Sequence, residues 1–283
     1  MKKLFIGGLV LFITCFLLGC LTWFSFEKQN NQLNYVNKTF DNDNISNLKI
    51  DSQNSVIEVK KGDKFSVHYT GKKNVDVTKE KKSLIIQQNS NTKDHYGLNF
   101  NPFRRANSKM IVTVPEKKIN ELVLSSQINS ISVDDVDMKS AKFLMTDSGG
   151  ASVKIDNSNI DQFYYRGVNS PVHLTNDKIQ NANIKIKNED ITVNDSLIEK
   201  SVLLANKGDI NLSKMNIESD FKASTQDGDI QMTYNKAPQN TLLKLNPEKG
   251  KAVINNKHFE DDKVGNGDND LEFYTSHGDI HID

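Results

Sequence analysis

Three stretches, SVLLANKGDINL (201–212), FKASTQDGDIQM (221–232) and LEFYTSHGDIHI (271–282), carry one pattern. Each alternates apolar with polar residues, passes through a polar turn ending in Gly-Asp, and continues as Ile, a variable residue and a second apolar one. Taking the first apolar residue after each such turn as an anchor gives Ile131, Val153, Val172, Ile191, Ile210, Ile230 and Ile280. The successive intervals are 22, 19, 19, 19, 20 and 50 residues. The last leaves room for two longer coils, with Val253 or Ile254 as a degenerate anchor between them. A fixed period near twenty is the signature of stacked repeats.

The columns agree with the spacing. Two residues after each anchor come Val133, Ile155, Leu174, Val193, Leu212, Met232 and Ile282. Seven after come Met138, Ile160, Ile179, Ile198, Ile217 and Ala237, and seven before come Tyr165, Ile184, Leu203, Ala223 and Phe273. Apolar residues at spacing two are strands with one buried face, and the Asn, Asp, Ser and Gly clusters between them are corners. A helix fails on period. A meander of hairpins would alternate equally well but gives no reason for the same columns to recur. The pattern therefore predicts an all-β fold, a parallel β-solenoid of about 20 residues per coil over 119–283. Gly208, Gly228 and Gly278 are then one corner on successive coils, chosen for positive φ, and Asp209, Asp229 and Asp279 cap that corner's N–H groups. The last coil, running to Asp283, exposes an edge for the 255–270 loop to cover or for self-association.

Ahead of the repeats, residues 40–118 read as a strand-rich module capping the solenoid, with an aperiodic loop at 89–108 that contains Arg104 and Arg105. Residues 27–39 are a polar spacer. From Leu4 to Phe26 no charged residue occurs. As a helix that run would rise roughly 35 Å, enough to cross a bilayer core. Residues 1–26 are thus an anchor or signal segment. Lys2 and Lys3 keep the short end in the cytoplasm, and Trp23, Phe24 and Phe26 suit the outer interface. LLGC (17–20) offers the alternative of a lipoprotein anchored at Cys20, although the apolar run continues through LTWFSF (21–26). A cleaved secretory signal is a third reading. All three put the remainder outside the cytoplasm.

With 36 basic and 36 acidic residues the chain has no net charge, which gives no case for nucleic acid. Beyond Cys15 and Cys20 there is no cysteine to form a disulfide, ligate zinc or act as a nucleophile. Asp190, Asp209 and Asp229 share one column, where stacked carboxylates repel unless N–H groups or a cation such as calcium relieve them. Corner capping is the expected relief. Asp134, Asp135, Asp156 and Asp195 form a second acidic edge, the kind of face on which β-helix lyases and hydrolases place their carboxylates. Arg166 is the one coil-region arginine, and no acid cluster pairs with it in the sequence. His68, His95, His173, His258, His277 and His281 have no metal-ligand spacing. SGGAS (148–152) is a corner, lacking the Lys-Ser/Thr and helix of a phosphate loop. The sequence thus predicts no catalytic residue, no cofactor and no metal. Alternation puts Tyr164 and Arg166 outward and Tyr165 inward, making the first two a candidate contact patch.

NSVIEVKKGDKFSVHYTG (54–71), KMIVTVPEKKINELVLSS (109–126) and the Gly-Asp-Ile corners behind one anchor resemble the bacterial putative-adhesin family, the β-strand-repeat domain of LiaG-like envelope proteins. The likeness covers about Phe40 to Asp283. It is weakest between Leu124 and Leu174, where SSQINSISV and NSPVHL lack Gly-Asp. It implies a β-solenoid in the cell envelope of Gram-positive bacteria, associated with envelope stress, and no reaction. The combined expectation is a non-catalytic, outward-facing, membrane-anchored binding or scaffold domain. Its partners are the bilayer through residues 4–26 and a cell-wall polymer or envelope protein. The rival is a carbohydrate-active enzyme using the acidic face.

Overall fold

A computed structural model of the chain describes residues 2–22, 33–41, 44–88, 108–127, 129–146 and 150–283. The loop at 89–107, with Arg104, Arg105 and His95, lies outside them, as do Trp23, Phe24, Phe26 and residues 148–149 of the SGGAS corner. The helix α1 (Lys2–Thr22) has a mean hydropathy of 2.6 and is long and apolar enough to cross a membrane.

Every other long element is a strand, because the apolar residues recur at spacing two rather than along a helical stripe. The first group is β1 (Asn34–Phe40), β2 (Asn47–Ser52), β3 (Ser55–Gly62), β4 (Phe65–Gly71), β5 (Val75–Glu80), β6 (Ser83–Gln88) and β7 (Ser108–Pro115). The repeats continue as β8 (Ile119–Ser126), β9 (Ile131–Asp134), β10 (Met138–Met145), β11 (Val153–Asp156), β12 (Asn159–Gly167) and β13 (Val172–Thr175). Then come β14 (Lys178–Ile186), β15 (Ile191–Asn194), β16 (Leu197–Ile198), β17 (Ser201–Lys207), β18 (Ile210–Met215), β19 (Phe221–Asp227) and β20 (Ile230–Tyr234). The last are β21 (Thr241–Pro247), β22 (Ala252–Ile254), β23 (Lys263–Val264), β24 (Asn269–His277) and β25 (Ile280–Ile282).

Among the described residues these strands form two largely parallel sheets. Sheet 1 runs β1-β4-β7-β3-β9-β11-β13-β15-β18-β20-β25-β22, and sheet 2 runs β23-β21-β24-β19-β17-β14-β12-β10-β8-β2-β6-β5. The chain passes from a sheet-2 strand to the next sheet-1 strand and back, each such pair making one rung. The predicted columns are the observed register. Ile131, Val153, Val172, Ile191, Ile210, Ile230 and Ile280 are successive partners in sheet 1. Tyr165, Ile184, Leu203, Ala223 and Phe273 are successive partners in sheet 2. Their side chains meet between the sheets in one hydrophobic cluster reaching from Ile45 to Ile282. Phe143 against Phe163 and Phe221 against Phe273 pack edge to face, with centroids 5.5 and 6.1 Å apart.

The order of the rungs departs from the order of the chain. β24–β25 lies between β19–β20 and β21–β22, with Ile280 facing Ile230 on one side and Ala252 on the other. The last stretch of sequence is therefore interior, and the edges at this end belong to β22 in sheet 1 and to β23, beyond β21, in sheet 2. The degenerate anchor is Ala252, with Ile254 two places on and opposite Ile282. Ala237 is exposed and leaves its predicted column, which ends at the buried Ile217. The 255–270 loop does cover this end, though over different strands. Phe259 packs on Tyr234 at 6.0 Å, and β23 pairs antiparallel with the start of β21.

The other end is built similarly. β2–β3 is flanked by β6–β7 on one side and β8–β9 on the other, all in parallel. Only β1, β4 and β5 run antiparallel to their neighbours there. The turn between β2 and β3 closes on one side chain. Gln88 Oε1 accepts from Ser52 Oγ (2.8 Å), Gln53 N (3.0 Å) and Asn54 N (3.1 Å). Its Nε2 donates to Asn54 Oδ1 and Tyr69 Oη. Gln88→Leu keeps the bulk and strands these donors, so we expect a loss of about 3 kcal/mol, read from the urea midpoint. Gln88→Glu keeps the acceptor and loses less.

Candidate binding faces

Two corners recur along the stack, and local chemistry shapes each. After β9, β11, β13 and β15, and near the end of β18, the chain turns through a left-handed residue four places beyond the anchor: Asp135, Asn157, Asn176, Asp195 and Lys214, with φ between 48° and 55°. Asn and Asp tolerate that region best among residues with a side chain. These positions line up, and their side chains bond from rung to rung. Asn176 Nδ2 donates to Asn157 Oδ1 at 2.7 Å, and Asn157 Nδ2 donates to Asp134 Oδ1 at 2.9 Å. Asp135 pairs with Lys61 at 3.3 Å, and Asp195 accepts from Asn235 Nδ2 at 3.2 Å. The structure brings Asp134 and Asp156 together in register and places Asp195 further along. Arg166 is on the outward side of sheet 2, away from this edge.

The Gly-Asp corner sits at the opposite edge. Asp190 Oδ1 accepts from the N–H of Asp209, Asp209 Oδ1 from Asp229, and Asp229 Oδ1 from Asp279, at 2.7 to 2.8 Å. Asp279 Oδ1 in turn accepts from Lys251 N at 2.8 Å. Each carboxylate thus caps the neighbouring rung, where self-capping is expected from the sequence. The glycines also serve the stacking. Gly208 does have positive φ, 131°, but Gly228 needs its missing side chain because a Cβ there would overlap the Gly208 carbonyl. Gly278 stands likewise on Gly228, and Gly250 on Gly278.

The histidines do not converge. His173 and His281 face outward on sheet 1, where burial first and then Lys154 push the His173 imidazole below its ordinary range. His277 Nδ1 lies 3.0 Å from Asp227. Among the described residues no three of His, Cys, Asp and Glu gather as metal ligands.

The outward side of sheet 2 differs from everything else on the surface. Tyr165 points inward, its hydroxyl donating to Ser170 O at 2.8 Å, and Tyr164 and Arg166 point outward, as alternation predicts. Across β10, β12, β14 and β17 this side carries Lys139, Lys142, Arg166, Lys178 and Lys185 against one carboxylate, Asp161. Lys142 is bound to Glu121 at 2.7 Å. Arg166 and Lys185 are direct strand neighbours, and among the described residues neither has an ion-pair partner. Half-buried Val202 and Leu204 lie beside them, and Leu144 and Tyr164 are each 41 % exposed. On sheet 1, the same rungs show Lys154 against Asp134 and Asp156. The neutral total conceals a basic side and a mildly acidic one.

One solved structure shares the fold, and others are similar. The chain is similar to a protein from Parabacteroides distasonis described as a "putative lipid binding protein", at 12% identity and TM-score 0.54 over 88% of this chain and 97% of that one. It is also similar to a "putative adhesin" from the same organism, at 10% identity and TM-score 0.49 over 89% and 98%. A Bacteroides fragilis "putative adhesin" aligns at 13% identity and TM-score 0.42 over 89% and 97%. No curated protein matches. The profile of one family matches residues 45–283, from the residues just before β2 through the last rung, and the chain belongs to that family, Toastrack DUF4097.

Proposed function

We propose that this chain is a non-catalytic, membrane-anchored domain that faces outward from a bacterial membrane and binds or scaffolds other components of the envelope. In this reading α1 is the anchor, the rungs close into a β-solenoid, and β4 and β5 within residues 40–118, with β1 (Asn34–Phe40) before them, cap its near end. The carrying observation is that the recurring geometry of the repeats serves stacking. Their carboxylates and Asn side chains are tied to neighbouring rungs, and what remains is two long, regular outer faces suited to extended partners. The Parabacteroides protein of the same fold, described as lipid binding, is in keeping with a binding role. The test is to incubate the full chain, in detergent or nanodiscs, with purified cell-wall polymers. Saturable retention without new reducing ends or fragments is the expected result. Turnover that Asp156→Asn or Asp195→Asn abolishes would establish the enzyme instead.

A further inference from the structure

We propose that the outward side of sheet 2, across β10, β12, β14 and β17, docks on the anionic headgroups of the same bilayer that α1 enters. The proposal rests on the anchored reading above and adds a surface and a ligand chemistry to it.

Three observations converge. The first is charge. Arg166 and Lys185 stand side by side on adjacent parallel strands with no ion-pair partner among the described residues. Like charges placed directly across a ladder destabilise a sheet, so an external anion there relieves repulsion that the protein itself leaves uncompensated. Lys178 extends the positive field along the same face. The second is the company the cations keep. Leu144, Tyr164, Val202 and Leu204 share the face. Cations mixed with a tyrosine and aliphatic side chains suit the headgroup boundary of a bilayer, where charge meets phosphate and rings sit at the interface. A purely polyanionic partner would leave those apolar groups without a use. The third is reach. Only the segment 23–33 separates α1 from β1. Fully extended it spans about 40 Å, so the domain stays beside the membrane and a weak surface contact becomes an intramolecular one.

Full-length chain carrying Cys15→Ser and Cys20→Ser is given one new cysteine, bearing a polarity-sensitive fluorophore, and assembled in nanodiscs. At Asn183→Cys the probe sits on the proposed face, and at Thr192→Cys on the outer side of sheet 1. In discs with about 30 mol% phosphatidylglycerol the Asn183 probe is expected to brighten at least about twofold over pure phosphatidylcholine discs, and the Thr192 probe not to respond. The response should vanish at about 0.5 M salt. It should also vanish on Arg166→Gln with Lys185→Gln, two exposed changes that do not lower the melting temperature. An equal signal in both lipids, or at both probes, overturns the proposal while leaving the anchored binding reading intact. A response to soluble polyphosphate in phosphatidylcholine discs, with none to phosphatidylglycerol, overturns the bilayer as the occupant and assigns the face to an anionic polymer. Failure of the chain to enter discs of either lipid overturns the anchored reading itself.

Discussion

Gly228→Ala should split the stack at the Gly-Asp corner and lower the stability of the domain by about 4 kcal/mol or more. The new Cβ would overlap the Gly208 carbonyl oxygen and lie 2.6 Å from its carbon. Both are backbone atoms held on the neighbouring rung, so no side chain can move aside. Relief requires the rungs to part there, and with them go the Asp229 N–H to Asp209 bond and the Gly208 N–H to Asp227 O bond, 2.8 and 2.9 Å. Gly150→Ala is the control. That glycine has φ of 86° but open space where the Cβ would go, so the change should cost only about 1 kcal/mol. Urea unfolding followed by far-UV circular dichroism separates the two. Equal losses at Gly228 and Gly150 would mean that the approach of stacked carbonyls is not what selects glycine at this corner.

Asp177→Ser should stabilise the domain at neutral and alkaline pH and remove a pH dependence. Asp177 is 1 % exposed, between Ser158 and Ser196 on the adjoining rungs. Its Oδ1 accepts from Ser158 N at 2.8 Å and its Oδ2 from Thr175 N at 3.1 Å. Burial nonetheless dominates and pushes the carboxyl up from 3.8 to about 8, with Asp156 and Asp134 adding to the rise against the two N–H groups. Between those values the folded chain binds a proton that the unfolded chain has released, so stability falls as pH rises from about 4 to about 8 and is constant outside that window. The difference corresponds to on the order of 5 kcal/mol above pH 8. Serine fits because the same position already holds Ser158 and Ser196, whose hydroxyls donate two residues back and accept the N–H of the preceding rung. The expected result is a melting temperature that declines from pH 5 to 8 in the parent and stays level in the variant. Parallel profiles would show that Asp177 remains ionised when folded.

The repeat columns were readable because sheet 1 and sheet 2 each bury every second residue and the rungs are nearly equal in length. Ile191, Ile210 and Ile230 could only recur at such intervals if they stacked. The rung order was not readable. Ile280 has an equally apolar partner in Ile230 or Ile254, and the sequence between 230 and 280 says nothing of which comes first in space. Gln88 gave no signal at all, since a glutamine at a strand end is ordinary until the turn it satisfies is seen. The role of the Gly-Asp corners was half legible. Their recurrence marked the corner, but whether each Asp serves its own turn or the next depends on how closely the rungs approach. The basic side of sheet 2 was hidden by the neutral total, because charge was summed over the chain when the fold separates it by face. Alternation did place Tyr164 and Arg166 on that side, without the neighbours that give them meaning.

The interleaving of β24–β25 beneath β21–β22 has a consequence for biosynthesis. A ribosome delivers residues 241–254 before 269–282, yet the earlier segment must rest on the later one. Until then its only available seat is β19–β20, a mispaired arrangement that the arriving strands have to displace. The distal end of the nascent domain is therefore its slowest part to mature, and the point at which a chaperone or a stalled chain would find it open.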